Sequence, residues 1–349
     1  MGQTKVAKPS LTIAVDDGYA NTKVAFYEGP GIQTSFIPSV YGNADLGHFE
    51  SDMSGHALNT YRTAEHDEDS DLTARFCVSA NLSHPTDTRA GSYPVSPANR
   101  CVIHHAMYAA GVSPDRHDSI NLAVTLPISA YFSADRELLI EKRKASLTMP
   151  VFREQGLSDT VKMPDIVNVH VLPEAIMAYF DHLLDEKGNI CSDEDAVVAV
   201  VDVGGHTTDI AVVQPGGNIS RDRSSSIPLG ILKYIERVQE LVLQSHKIRI
   251  TNKHVNTAIQ NKGIVNIRGQ KEDLSPYLSS ASEIIVRELR AQVGQVLGDD
   301  TDVDCILYVG GGAKVLGRTL SQHPNVVIPN DPHYANARGA LKYMTFIKG

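Results

Sequence analysis

At 349 residues, with 42% hydrophobic and 21% charged residues, the chain has the composition of a soluble globular protein with room for about two domains, each burying its own core. A formal net charge of −9 argues against direct, non-specific binding to nucleic acid, and no apolar run approaches a membrane span. Met1 to Ser10 has no hydrophobic signal core, so it reads as a loose tail on a chain that stays in the cytoplasm.

Leu11 to Val15 is predicted to be a short apolar strand. It runs into Asp16-Asp17-Gly18-Tyr19-Ala20-Asn21-Thr22, and Lys23 to Tyr27 leaves as a second strand. Glycine lets backbone approach a ligand, successive turn N–H groups donate to phosphate oxygens, and a carboxylate can hold a hydrated divalent cation. From Glu28 to about Pro97 the sequence is polar, with an acidic run between Glu65 and Asp71 that reads either as a solvated loop or as an electrostatic contact surface. Cys101 to Ala110 is helix-like and stops at Gly111, and Ile120 to Leu126 is a buried-type strand ending at Pro127. The helix expected from Ser133 to Leu147 carries Glu141-Lys142-Arg143-Lys144, which is an exposed face or a nucleotide or subunit contact.

Asp165 to Leu172 is another strand, after which Pro173 suits a first helical turn and Ile176, Tyr179, Phe180, Leu183 and Leu184 form one apolar stripe before Gly188. Glu174 then sits at a helix N-terminus, where it serves the helix dipole or positions a water that attacks a γ-phosphate. A further apolar run reaches Asp202, turns through Gly204-Gly205-His206-Thr207-Thr208-Asp209 and returns as Ile210 to Val213. Setting Asp16 on Asp202, 186 residues away, also sets Gly18 on Gly204, Thr22 on Thr208 and Val24 on Ile210. One Asp-x-Gly turn is commonplace. Two at a domain-sized separation point to a duplicated architecture that grips one polyphosphate from both sides.

Ile231, Leu232, Ile235, Val238 and Leu241 line one side of a helix, and Lys247 to Pro276 shows no clear pattern. Ser280-Ala281-Ser282-Glu283 reads as a capping box that starts a core helix. Asp304 to Val309 is a strand ending in Gly310-Gly311-Gly312-Ala313-Lys314, where bare backbone at a helix N-terminus can receive a flat ring or a phosphate. Asn325 to Ile328 makes a last strand. Small residues Ala335, Ala337, Gly339 and Ala340 in the helix after Pro332 permit close packing, so this helix and the one after Pro173 are expected to cross as a hinge between two lobes. Cys77, Cys101, Cys191 and Cys305 read as reduced, mostly buried thiols, and the fourteen histidines, His104 and His105 among them, as core or surface residues.

Taken in order, Asp16 to Thr22, Pro173 to Ala178, Asp202 to Thr208, Gly310 to Ala313 and Asp331 to Ala340 resemble the five motifs of the actin, Hsp70 and sugar-kinase ATPase superfamily. Within it the chain most resembles the bacterial ParM or StbA family of plasmid-segregation actins. The carriers are Asp16-Asp17-Gly18 with Asn21, Ile103-His104-His105-Ala106, Thr125-Leu126-Pro127 with Tyr131-Phe132, Glu141 to Ala145, Leu172-Pro173-Glu174, and Ser225-Ser226 with Leu229-Gly230. The region from about Asn43 to Pro97 departs from that pattern.

The resemblance implies an α/β, actin-like fold: two lobes, each built on a duplicated mixed sheet with helices, and a nucleotide in the cleft between them. Lobe I would span 11–178 plus 329–349, with an insertion at about 28–97, and lobe II 179–328, after a tail at 1–10. It also implies a Mg²⁺-dependent ATPase or GTPase of the bacterial cytoplasm that polymerises into dynamic filaments. These segregate plasmid DNA through a ParR-like, centromere-binding adaptor, with no direct nucleic-acid or membrane contact. Carried over, Asp16 or Asp17 and Asp202 order Mg²⁺ through water, while Glu174 orients the attacking water with Asp209 as helper. Gly18, Tyr19, Ala20, Asn21, Lys23, Gly204, Gly205, His206 and Thr207 surround the phosphates, and Gly310, Gly311, Gly312 and Ala313 receive the nucleoside. The alternatives are a soluble sugar- or acid-kinase-like phosphotransferase, which lacks an obvious substrate loop here, and a non-polymerising actin- or Hsp70-like switch. Against the latter, the chain ends at Gly349, directly after the hinge helix, with no peptide-binding domain expected.

Overall fold

A computed structural model describes residues 10–44, 59–65, 73–80, 82, 85–88, 90–155, 159–298, 301–322 and 325–348. The expected tail apart from Ser10, and the acidic run apart from Glu65, lie outside the described residues. In chain order, β1 (Leu11–Asp17), β2 (Asn21–Glu28) and β3 (Gly31–Pro38) are followed by β4 (Tyr41–Asn43), β5 (Asn59–Thr63) and β6 (Ala74–Val78). Next come α1 (Pro97–Ala109), β7 (Ser119–Leu126), the single turn α2 (Ile128–Tyr131), α3 (Arg136–Thr148), β8 (Val151–Gln155), β9 (Asp159–Lys162), β10 (Asp165–Pro173) and α4 (Ile176–Leu183). The second half holds β11 (Val198–Val203), β12 (Thr208–Gln214), β13 (Asn218–Ile227), α5 (Ile231–His246), α6 (Asn252–Gln260), β14 (Ile264–Ile267) and β15 (Gln270–Asp273). It closes with α7 (Ser275–Leu297), β16 (Cys305–Val309), α8 (Gly310–Leu320), β17 (Val326–Val327) and α9 (Ala335–Lys342).

Two five-stranded sheets repeat one topology, β10-β7-β1-β2-β3 and β17-β16-β11-β12-β13. In each, the central strand runs parallel to one neighbour and forms an antiparallel hairpin with the other. The pairs Val15↔Val24, Asp16↔Lys23 and Asp17↔Thr22 recur as Val201↔Ile210, Asp202↔Asp209 and Val203↔Thr208. The match of residue types across 186 positions is therefore a match of backbone register.

Side-chain alternation along these strands builds the layers. On the first sheet Ile13, Val15, Val24, Phe26, Leu122 and Val124 pack outward against α1 and α3, while the small Ala14, Ala25 and Ala123 face the opposite side. On the second, Val201, Val203, Ile210 and Val212 pack under α5, α7 and α8, and Val198, Val200, Ala211 and Leu307 face back. Between the two sheets lie α4 and α9. A Cβ on Gly339 would fall 1.7 Å from the Met177 carbonyl oxygen, so only glycine lets the two backbones approach this closely. Asp181 of α4 is clamped from α9 by Arg338, whose Nη2 donates to Oδ2 at 2.6 Å, and by Lys342, whose Nζ donates to Oδ1 at 2.7 Å. Lys342 also donates to the carbonyls of Asp181 and Leu184, capping the C-terminal end of α4.

A third sheet, β4-β6-β5-β8-β9, draws two strands from beyond α3, which the sequence did not indicate. The stretch from 28 to 97 enters it only after β3, because the Gly29-Pro30 turn, with Gly29 at φ +61°, folds β3 back onto β2 in the first sheet. Pro173 is not in a helical turn: the β10 ladder with β7 continues through Pro173↔Leu126, and α4 starts three residues later and ends at Leu183, short of Gly188. Helix α7 begins at Ser275, not at Ser280, because Asp273 accepts from the Ser275 N–H at 2.8 Å and Pro276 opens the first turn. Ser282, read as part of a cap, instead bonds the Thr319 hydroxyl at 2.7 Å. The patternless stretch after Lys247 holds α6 and the β14–β15 hairpin. All four cysteines are free thiols, with Cys77 and Cys101 buried, Cys305 half-buried and Cys191 exposed. Among the described residues no helix is long and apolar enough to cross a membrane.

His104 is a core residue on α1, and neither ring nitrogen is hydrogen-bonded. Burial, helped by Arg100, pushes its imidazole down to about 3. The unfolded chain protonates it near 6.5, so between these values the folded state binds fewer protons. The stability is intact above that range and falls as the pH drops through it, by about 1.4 kcal/mol per pH unit from this residue. His104→Leu is expected to flatten the acid side of a plot of Tm against pH; an unchanged slope would contradict this account of the core.

Candidate functional site

A cleft of about 980 Å³ opens where the β1–β2 and β11–β12 loops face each other. Gly205 approaches the opposite loop so closely that a Cβ there would lie 3.4 Å from the Ala20 Cβ, and Tyr19 stands edge-on to His206 with ring centres 6.4 Å apart. The second loop is closed by the Gly204 N–H donating to the Thr207 carbonyl at 2.9 Å. Its carbonyls at Gly204 and Gly205 accept from Ile231 and Leu232 at the start of α5, each at 3.0 Å. Gly230 must lack a side chain because a Cβ would meet the Gly205 oxygen at 2.5 Å. In the first loop Ser39 plays the matching part, its hydroxyl donating to the Gly18 carbonyl at 2.7 Å and its N–H to the Ala20 carbonyl at 3.0 Å. Both loops are thus held from behind by their carbonyls.

Asp16, Lys23, Glu174, Asp202 and Asp209 line the cleft beside these loops. Lys23 Nζ donates to Asp16 Oδ2 at 3.0 Å, and the Thr125 hydroxyl lies 3.3 Å from Glu174 Oε1 and 3.5 Å from Asp16 Oδ1. Asp209 Oδ1 accepts from the Ile128 N–H at 3.2 Å and from the Ser226 hydroxyl, which joins the second sheet to the turn after β7. Burial, and then the nearby carboxylates of Asp16, Asp209 and Asp202, push the Glu174 carboxyl well above its ordinary value. Burial and Asp16 push Asp202 up to about 7, and burial also raises Asp209. Burial alone would lower the Lys23 ammonium, but Asp16 and Asp202 outweigh it and hold it above its usual value.

Four carboxyl groups therefore share one ammonium. That excess of acid suits a divalent cation arriving with an anionic ligand, and Asp16 and Asp202 are the groups that would hold its waters. Among the described residues no three His, Cys, Asp or Glu side chains are gathered to ligate a metal directly, so a cage made only of protein does not fit.

Gly18, Tyr19, Ala20, Asn21, Gly204, Gly205 and Thr207 all line the cleft, whereas His206 does not. Asp17 lines it too, but is already engaged. Its carboxylate pairs with the Arg143 guanidinium and accepts from Asn99 Nδ2 at 2.7 Å, and Arg143 is fully buried. The basic cluster of α3 is thus split, with Arg143 inside and Glu141, Lys142 and Lys144 exposed. Of the glycines after β16, Gly310 and Gly311 both line the cleft, and only at Gly311 would a Cβ meet nothing. A Cβ on Gly310, at φ +86°, would meet Asp202 Oδ1 at 2.2 Å, and one on Gly312 would meet Val203 at 2.2 Å. These two glycines chiefly let α8 pack on β11, and Ala313 is wholly in the core. Sequence reading missed Ile231 and Ile235 of α5, Asn256 and Gln260 of α6, and Lys314 and His333, all on the cleft wall. Asn256 and Gln260 stand four apart on a helix opened by Thr251 and His254, whose apolar side is made of only Val255, Ala258 and Ile259.

Residues 11–185 match the family model of the plasmid segregation protein ParM, N-terminal region, and residues 200–322 match that of the archaeal actin homologue MreB-like, C-terminal region. The chain belongs to the ParM family. Among solved structures, the archaeal actin homologue Ta0583 superposes with a TM-score of 0.76 at 17% identity, covering 96% of this chain and 99% of that one. A ParM from a 15-stranded filament of Clostridium botulinum gives 0.68 at 18% identity, covering 96% and 98%. Bacillus thuringiensis ParM with ATP gives 0.66 at 17%, again covering 96% and 98%. The fold is actin-like. Among curated proteins none matches in sequence.

In this ParM-family chain Asp17 holds the first loop to α1 and α3. Asp17→Ala leaves the Arg143 cation buried without its partner and is expected to cost about 3–5 kcal/mol of unfolding free energy in the absence of Mg²⁺. Chemical denaturation in EDTA reads this directly; undiminished stability there, with a defect confined to Mg²⁺-dependent binding, would contradict it.

Proposed function

We propose that the chain binds ATP or GTP with Mg²⁺ between its two hairpin loops, hydrolyses it, and cycles as a dynamic filament that segregates plasmid DNA through a centromere-binding adaptor. The observation carrying this reading is the pair of register-matched loops over one cluster of buried carboxyl groups and Lys23. Membership of the ParM family supports the filament and the adaptor, and Bacillus thuringiensis ParM with ATP and Ta0583 with ADP support the nucleotide.

The loop backbones at Gly18 to Asn21 and at Gly205 and Thr207 would donate to phosphate oxygens, while Lys23 offsets their charge. Asp16 and Asp202 would hold Mg²⁺ through water, and the cation supplies charge neutralisation at the transferred phosphoryl group. Glu174, anchored through Oε1 by Thr125, would orient the attacking water and take its proton. Asp209, committed to Ile128 and Ser226, would keep the two sheets in place around the site rather than contact the water. The nucleoside would lie between Gly311 and the α5–α6 wall.

Light scattering after addition of ATP and Mg²⁺, with phosphate release followed in parallel, tests the whole reading. A rise that decays as phosphate appears supports it. Turnover without scattering would replace the filament with a soluble kinase or a solitary switch. Glu174→Ala is expected to keep nucleotide affinity and assembly, slow phosphate release about 100-fold, and prolong the scattering plateau; equal loss of affinity and turnover would remove Glu174 from its role.

A further inference from the structure

Asn336 of α9 is buried, and its two amide atoms reach two parts of the site at once. Its Nδ2 donates to Asp202 Oδ2 at 2.6 Å, and its Oδ1 accepts from the Ala175 N–H at 3.0 Å. Ala175 is the centre of a γ-turn: it has φ +60° and ψ −46°, and the Ile176 N–H closes back on the Glu174 carbonyl at 2.6 Å. A residue with a Cβ adopts this conformation only against strain, so the turn persists because its surroundings hold it. Glu174, the residue just before Ala175, is also tied by its own N–H to the Leu126 carbonyl at 2.8 Å. Asp202, at the end of β11, has its other oxygen beside Gly310.

We propose that Asn336 is a positioning residue, which sets the strained Glu174–Ala175 turn of the first sheet against Asp202 of the second. One side chain thereby couples the group assigned to the attacking water with the group assigned to the cation. The inference rests on the proposed nucleotide hydrolysis. It adds that α9 is part of the site's wiring as well as of the packing between sheets. No residue of α9 itself lines the cleft, so Asn336 acts through Ala175 and Asp202.

The test compares Asn336→Ala, which removes both bonds and the side-chain volume, with Asn336→Leu, which keeps the volume but neither bond. Each is assayed for Tm, for affinity towards a fluorescent ATP analogue, and for kcat and KM of phosphate release. The expected result is cooperative unfolding and affinity within about twofold of the unaltered chain, with kcat lowered about 10- to 100-fold in both variants. Turnover within twofold of the unaltered chain in either folded variant would overturn the proposal. So would loss of cooperative unfolding or of affinity in both, since Asn336 would then serve the fold alone. If the unaltered chain releases no phosphate, it is the hydrolysis reading that fails, and the two failures are told apart by that control.

Discussion

The close crossing of α4 and α9 is the constraint on which the rest of the molecule depends. Two sheets can share one buried layer only if the helices between them are thin, and Gly339 against the Met177 carbonyl makes that possible. On the first sheet the facing strand positions are correspondingly small, with Ala14, Ala25 and Ala123 beneath the helices, while the second sheet presents Val198, Val200, Ala211 and Leu307. Asp181 then fixes the crossing electrostatically. A buried carboxylate held by two cations and hydrogen-bonded on both oxygens tolerates little sliding, because displacement would strand charge in the interior. The hairpin loops stand at the ends of β1 and β11, so the spacing of the sheets is also the spacing of the loops.

That geometry explains why the cleft is electrostatically unfinished. The duplicated register brings Asp16 and Asp202 to equivalent ends of central strands, and the chain adds Glu174 and Asp209, while the other cations on the cleft wall are paired elsewhere, Arg143 with Asp17 and Lys314 with Asp331. Burial first, and then the neighbouring carboxylates, raise Glu174, Asp202 and Asp209 above their ordinary values. Elsewhere the protein neutralises its buried acids: Asp17 with Arg143, and Asp181 with Arg338 and Lys342. Such an excess of buried acid around one ammonium is what a site for a cation and a polyphosphate requires.

Much of this was readable from residues alone because the informative features are local. The hairpins announce themselves as apolar runs around Asp-x-Gly turns, and their duplication survives as a fixed offset between short motifs. Features that depend on distant partners were not readable. Asp17 and Asp16 are adjacent and chemically alike, and partners 82 and 126 positions along the chain, Asn99 and Arg143, set Asp17 apart. Pro173 and Ser280 carry good local helix-start signals, yet a continuing ladder with β7 and an earlier start at Ser275 override them. The three glycines after β16 look equivalent in sequence, whereas Asp202 and Val203 determine what two of them are for. The wall contributed by α6 escaped because its helix presents few apolar residues.

The most direct measurement is a crystal structure of the chain with a non-hydrolysable ATP analogue and Mg²⁺. The account requires the triphosphate between Gly18–Asn21 and Gly205–Thr207, the cation's waters on Asp16 and Asp202, Glu174 facing the terminal phosphate, and Asp17 still paired with Arg143. A triphosphate bound away from the two loops, or Asp17 released to hold the cation in place of Asp16, would contradict it.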